Sequence, residues 1–134
     1  MNYRATFNTL IRSLIDNGEY GKALEVINTS LELIPDKAIM YDHFSVQIVS
    51  FLIELNKKAN MNTEEKANEI AEITSKRADE ILNYYFDNNI NNKYEIQRNL
   101  VSLNALARAY NNHPNIELSK KYKDLFEINY GKTP

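Results

Sequence analysis

Apolar residues recur at spacings of three and four along nearly the whole chain, and no run alternates with period two over a convincing length. That period puts apolar side chains on one face of an α-helix. Phe7, Leu10, Ile11, Leu14 and Ile15 predict a helix over 3–16. "DNG" ends it, with Gly18 free to take the left-handed cap conformation. Ala23, Leu24, Ile27, Leu31 and Ile34 predict a second helix over 20–33, and Pro35 stops it for want of an N–H. A turn this short makes the two helices antiparallel along a shared apolar seam.

Four more helices follow. A third, over 38–56, carries Tyr41, Phe44, Ile48, Phe51, Leu52 and Leu55, and Ile39, Val46, Val49 and Ile53 widen its apolar arc. That width predicts cover on two sides. Asn62 with Glu65 resembles a capping box before a long fourth helix over 63–87. Ala67, Ile70, Ala71, Thr74, Ala78, Ile81, Leu82 and Tyr85 form its stripe. "DNNINNK" breaks the pattern before a fifth helix over 93–111, and "NNHPN" before a sixth over 115–129, with "YGKTP" expected to fray. The reading is all-α: six helices in three consecutive antiparallel hairpins, about 3–34, 38–87 and 93–129, within a single helical-repeat domain.

Residues 4–37 form a 34-residue unit, the tetratricopeptide length. The unit resembles that family at Phe7, Leu10, Gly18, Tyr20, Ala23, Ile27 and Pro35. It departs at Ile11, where a small residue is usual, at Leu14, where Tyr is usual, and at Ser30, where Ala is usual. The departures at 11 and 30 predict a looser or altered crossing of the two helices. Tyr41 and Phe44 resemble the opening of a second, stretched unit with Ala67 at its crossing. Leu103, Leu106, Ala107 and Tyr110 resemble the first helix of a third. The resemblance implies a tetratricopeptide-like right-handed array.

Over most of its length the chain, through "RATFNTLIRSLIDNGEYGKALEVINTSLELIP", "YDHF", "KANEI" and "YY", is also similar to a Bacteroidetes family. Its members are multi-pass membrane proteins with a glycosyltransferase-like membrane part, and the likeness is to their soluble C-terminal tail. That likeness implies an accessory tail, with any sugar-transfer site in the membrane part.

Composition narrows the function classes. The formal charge of −2, evenly spread, lacks the basic stripe of a nucleic-acid binder. The absence of cysteine removes disulfides, thiolate metal sites and thiol nucleophiles, and fits either the cytoplasm or the periplasm. No stretch approaches the ~20 apolar residues of a membrane span. Glycine stands only at 18, 21 and 131, so no phosphate-cradling loop can form. No serine has a nucleophile-elbow setting.

The remaining chemistry reads as packing or solvation. His43 follows Asp42, but adjacent helix residues point apart and make no dyad. His113, before Pro114, is expected in solvent. Glu64, Glu65, Glu69 and Glu72 interleave with Lys66, Lys76 and Arg77 as a solvated face. Tyr84, Tyr85 and Phe86 read as core, with Tyr84 the most exposed. "NTS" at 28–30 falls inside a helix, where a glycosylation sequon is a chance match. No catalytic residue, cofactor or metal is expected.

A helical array offers a groove lined by the first helix of each pair. By repeat position that lining comprises Asn8, Arg12, Asp42, Val46, Val49, Asn104 and Arg108. The expected function is a non-enzymatic interaction or scaffold module. Its partner would be a protein or peptide, including the rest of a parent chain.

Overall fold

The computed structural model describes residues 3–34 and 43–134. These form six helices and no strand: α1 (Tyr3–Asp16), α2 (Tyr20–Leu33), α3 (His43–Ala59), α4 (Glu64–Asp87), α5 (Lys93–Ala109) and α6 (Ile116–Gly131). The all-α reading holds, with helix limits within a few residues of the apolar periodicity. Expectations for Pro35, Ile39, Tyr41, Asp42 and the first turns of the third helix lie outside the described residues. The chain divides into two compact units, Met1–Ile70 and Ala71–Pro134, and the division falls within α4.

In the first unit α1 packs on α2, and both pack on α3. Ile11, Ala23 and Ile27 are all 0 % exposed, so the crossing is filled despite the isoleucine at position 11. Ser30, the other departure, is buried as well. Arg4, itself buried, donates from Nη2 to the Ile34 carbonyl (3.3 Å), tying the start of α1 to the end of α2. Leu10 is a correction: it was placed in the seam, yet it is 48 % exposed, and Ile11 takes the buried position. Neighbouring residues on a helix are about 100° apart, so a small rotation of α1 chooses between them.

The second unit holds its core between α4, α5 and α6. Ala78, Leu82, Ile96 and Leu103 form the centre, with Tyr85, Phe86, Leu100, Leu125 and Phe126 packed around it. Tyr84 stays 60 % exposed, as expected. Three polar ties join α4 to α6. Glu72 pairs with Lys121, Asp79 accepts from Asn129 Nδ2 (2.9 Å), and Asn83 accepts from Lys132 Nζ (3.1 Å). Both series rise together along the chain, so α4 and α6 run parallel. Fully buried Tyr110 and Tyr122 stack at 4.6 Å, and His113 packs on Tyr110 at 5.2 Å. His113 is therefore buried rather than solvated, and its Nδ1 accepts from the Asn115 N–H (3.0 Å).

Asparagine shapes the loops. Every described non-glycine residue with positive φ is an asparagine: Asn60, Asn62, Asn89 and Asn112. Asn tolerates the left-handed region better than other side-chain-bearing residues. Gly18 (φ 76°) and Asn89 (φ 53°) do the same job. After α1, Gly18 and Glu19 donate to the Ile15 and Leu14 carbonyls; after α4, Asn89 and Ile90 donate to those of Phe86 and Tyr85. Both are Schellman closures. Asn92 and Asn115 cap α5 and α6, their side chains accepting from Glu95 and Leu118 N–H (both 3.2 Å).

The expected cap at Asn62 is corrected: Asn62 is left-handed, and Thr63 precedes the helix, its hydroxyl donating to the Leu52 carbonyl. The expected fraying from residue 130 is corrected too, since α6 continues to Gly131 and its end is closed by bonds from Lys132 and Thr133 N–H.

Candidate functional site

The expected groove separates into residues the fold consumes and residues it leaves open. In the first unit α1 and α3 lie parallel, because Asn8 meets Phe44 and Gln47 while Arg12, one turn later, meets Phe51 and Glu54. Asn8, 4 % exposed, donates from Nδ2 to the Phe44 carbonyl (2.8 Å) and Gln47 Oε1 (2.9 Å). Arg12 makes a two-pronged bond to Glu54 (2.9 and 3.0 Å). Its Nε donates to Asp16 (3.0 Å), and its guanidinium lies over the Phe51 ring, 5.5 Å from the centroid.

This network has electrostatic consequences. The hydrogen bonds to Glu54 and then Asp16 hold the Arg12 guanidinium above its ordinary pKa. The Glu54 carboxyl is held below the usual range chiefly by Arg12, against partial burial, with help from Lys58 (2.7 Å). Asp16, Arg12, Glu54 and Lys58 together carry no net charge, so they present little field to a partner. Val46 and Val49 are 1 % and 0 % exposed. Both belong to the core and cannot line a solvent-facing groove, which corrects the expectation. The wide apolar arc on α3 was read correctly as two-sided cover; the error was to give part of that arc to a groove. Asp42 lies outside the described residues, as does the His43 side chain.

Asn104 and Arg108, on α5 in the second unit, are placed differently. Asn104 is half-exposed and Arg108 exposed. Continuing back from them at helical spacing gives Leu100, Gln97 and Lys93, so all five lie within one narrow face of α5. Leu100 is half-buried at the edge of the core and also borders this face. At the Lys93 end the face opens into a recess of about 640 Å³, walled by Ile96, Leu100, Tyr130 and Pro134. It adjoins a smaller one of about 280 Å³ beneath the 88–92 loop, which shares Asn91, Ile96 and Pro134. Lys132 stands on the wall of the smaller recess. Lys93, Gln97 and Tyr130 were missed in the sequence. The first two were reachable by extending the spacing from Asn104; Tyr130 was hidden because that end of the chain was read as frayed.

Elsewhere, a depression of about 520 Å³ lies between α1 and α2, bordered by Phe7, the exposed Leu10, Val26 and Thr29. Among the described residues no three His, Asp or Glu side chains converge as metal ligands, and no helix is long and apolar enough to cross a membrane. Of the "NTS" sequon, Asn28, the residue a glycan would join, is exposed on α2, while Ser30 is buried at 3 % exposure.

No protein-family model, no curated protein and no solved structure matches the chain at a significant level. The functional reading therefore rests on the side chains just described.

Proposed function

We propose that the chain is a non-enzymatic interaction module of tetratricopeptide-like helical hairpins, which engages a protein or peptide through the first helices of its hairpins. One observation carries the reading: helices two apart run parallel within each unit. α1 parallels α3 through Asn8 and Arg12, and α4 parallels α6 through Glu72, Asp79 and Asn83. Together with the antiparallel α1/α2 hairpin closed by Gly18, this is the local geometry of a stacked helical repeat. Such stacks present the groove side of their first helices to partners, and on α5 the groove positions Asn104 and Arg108 are polar and open to solvent.

The test is site-specific photo-crosslinking in cells of the source organism. A crosslinker at Gln47 on α3 or Asn104 on α5 is expected to trap one defined partner. The same group at Lys22 on α2 is expected to trap none. Crosslinks arising equally from all three positions, or from none, would reject the module. If the trapped partner is a membrane segment of the same polypeptide, the module is the accessory tail of a glycosyltransferase-like protein.

A further inference from the structure

We infer that the exposed face of α5 is a docking strip for an acidic peptide carrying an aliphatic anchor residue; this rests on the reading of the chain as an interaction module. Four observations on the second unit support it. First, the strip is continuous. Lys93, Gln97, Leu100, Asn104 and Arg108 follow one another at spacings of four, three, four and four, which keeps them within one narrow face of a helix. Fifteen steps from Lys93 to Arg108 at 1.5 Å each make it about 22 Å long, enough for roughly seven residues of extended chain.

Second, the strip is cationic in a chain that is acidic overall. It carries Lys93 near one end and Arg108 at the other and no carboxylate, while the whole chain has a formal charge of −2. Neither cation makes an ion pair among the described residues. Lys132 Nζ, beside the adjoining recess, donates to the neutral Asn83 amide oxygen and to no carboxylate among the described residues. Glu95, the one acid on α5, faces away from the strip and is engaged by Arg98 (3.7 Å). An acidic partner would meet attraction at both ends of the strip.

Third, the strip has a hole for an anchor. The recess at its Lys93 end is walled by Ile96, Leu100 and Tyr130, and Tyr130 is held against Phe126 (centroids 5.7 Å apart). A concave apolar wall beside a cation, here Lys93, accepts a branched aliphatic side chain flanked by acids. Fourth, the cations are few. Two on the strip and one beside it are too sparse for a nucleic-acid backbone, which asks for a dense basic stripe, and a concave recess fits a protruding side chain better than a flat lipid surface.

The test uses the whole protein and fluorescein-labelled peptides of about eight residues, read by anisotropy at low and physiological salt. A peptide alternating Glu and Leu is expected to bind. A Lys/Leu peptide and a Glu/Ser peptide should each bind at least tenfold more weakly, the first for lack of charge match and the second for lack of an anchor. Lys93→Glu with Arg108→Glu should weaken the Glu/Leu peptide at least tenfold, and added salt should weaken that peptide's binding to the unaltered protein. A charge-matched control, Lys22→Glu with Lys76→Glu, should leave it unchanged, with helicity of all variants checked by circular dichroism.

Equal binding of the Glu/Leu and Lys/Leu peptides, equal loss in the control, or no binding of any peptide would overturn the strip. So would phosphatidylglycerol vesicles binding through Lys93 and Arg108 in preference to the Glu/Leu peptide. If these results fail while crosslinking at Gln47 still traps a defined partner, only the α5 assignment falls. If crosslinking fails as well, the module itself falls.

Discussion

The groove positions of α1 in the first unit and those of α5 in the second hold the same place in their hairpins, and the molecule uses them in opposite ways. On α1 the polar residues are turned into glue. Asn8 and Arg12 are bonded to α3, and the cation is cancelled by Glu54 and Asp16. On α5 the corresponding polar residues, Asn104 and Arg108, keep their side chains toward solvent. The difference teaches that a cation at a groove position is a docking group only if no carboxylate of a packed neighbour reaches it. The α3 helix supplies such a carboxylate, and the second unit supplies none to Arg108.

The comparison can be broken most forcefully at Val49. As a groove residue it would tolerate a charge; as a core residue it cannot. Val49→Asp is expected to destabilise the first unit by about 4 kcal/mol or more, because it buries an unpaired carboxylate. Hydrogen exchange should show α1–α3 losing protection. Protection of α1–α3 left intact would return Val49 to the surface.

The next effect sharpens the second unit. Burial first, then the nearby Glu72 charge, push the Tyr122 phenol up to about 12, while Ser75 opposes weakly. The folded pKa thus lies above the unfolded value of about 10, and the folded state binds the proton more tightly. The stabilisation is complete below pH 10 and is lost as pH rises from 10 toward 12, on the order of 2 kcal/mol in all. Denaturant melts should show this decline, and Tyr122→Phe should flatten it. An unchanged slope in the variant would place the titration elsewhere.

A smaller effect separates the two arginines directly. Arg12→Ala removes a two-pronged, partly exposed ion pair and should cost about 1 kcal/mol, more at low salt than at high. Arg108→Ala should stay within about 0.5 kcal/mol. Equal losses would erase the distinction between glue and docking group. The smallest effects lie in the two matching turns. Gly18→Ala should cost about 1 kcal/mol, through φ alone, since an added Cβ would meet nothing within 4 Å. Asn89→Gly should gain a few tenths of a kcal/mol, because glycine adopts positive φ without a Cβ penalty. Thermal melts of both variants check the pair; a stabilising Gly18→Ala would contradict the left-handed cap.

The six helices were legible because each has an apolar period of three to four and is bounded by Gly, Pro or Asn. Those are local properties, and the chain carries them residue by residue. The asparagine-rich loops were also legible, though only as loops. Their division of labour, with Asn89 as a left-handed closure and Asn92 and Asn115 as caps, depends on where each helix actually ends. The candidate groove was legible only as a set of positions. Repeat position nominated Val46 and Val49, which are buried, alongside Asn104 and Arg108, which keep contact with solvent, because position in a repeat does not say how far a helix is rotated about its axis.

Sequence by itself determined that this protein is all-α, how many helices it has, where they turn, and which residues are apolar enough to be buried. Tertiary structure alone decided that Ile11 and not Leu10 enters the core, that His113 is covered by Tyr110, and that Arg12 is bound while Arg108 is open. The reason is physical. Helix formation follows from bonds and side chains a few residues apart, whereas burial and ion pairing depend on partners tens of residues away. Arg12 and Glu54 stand 42 residues apart, and no local pattern in the chain records that they meet.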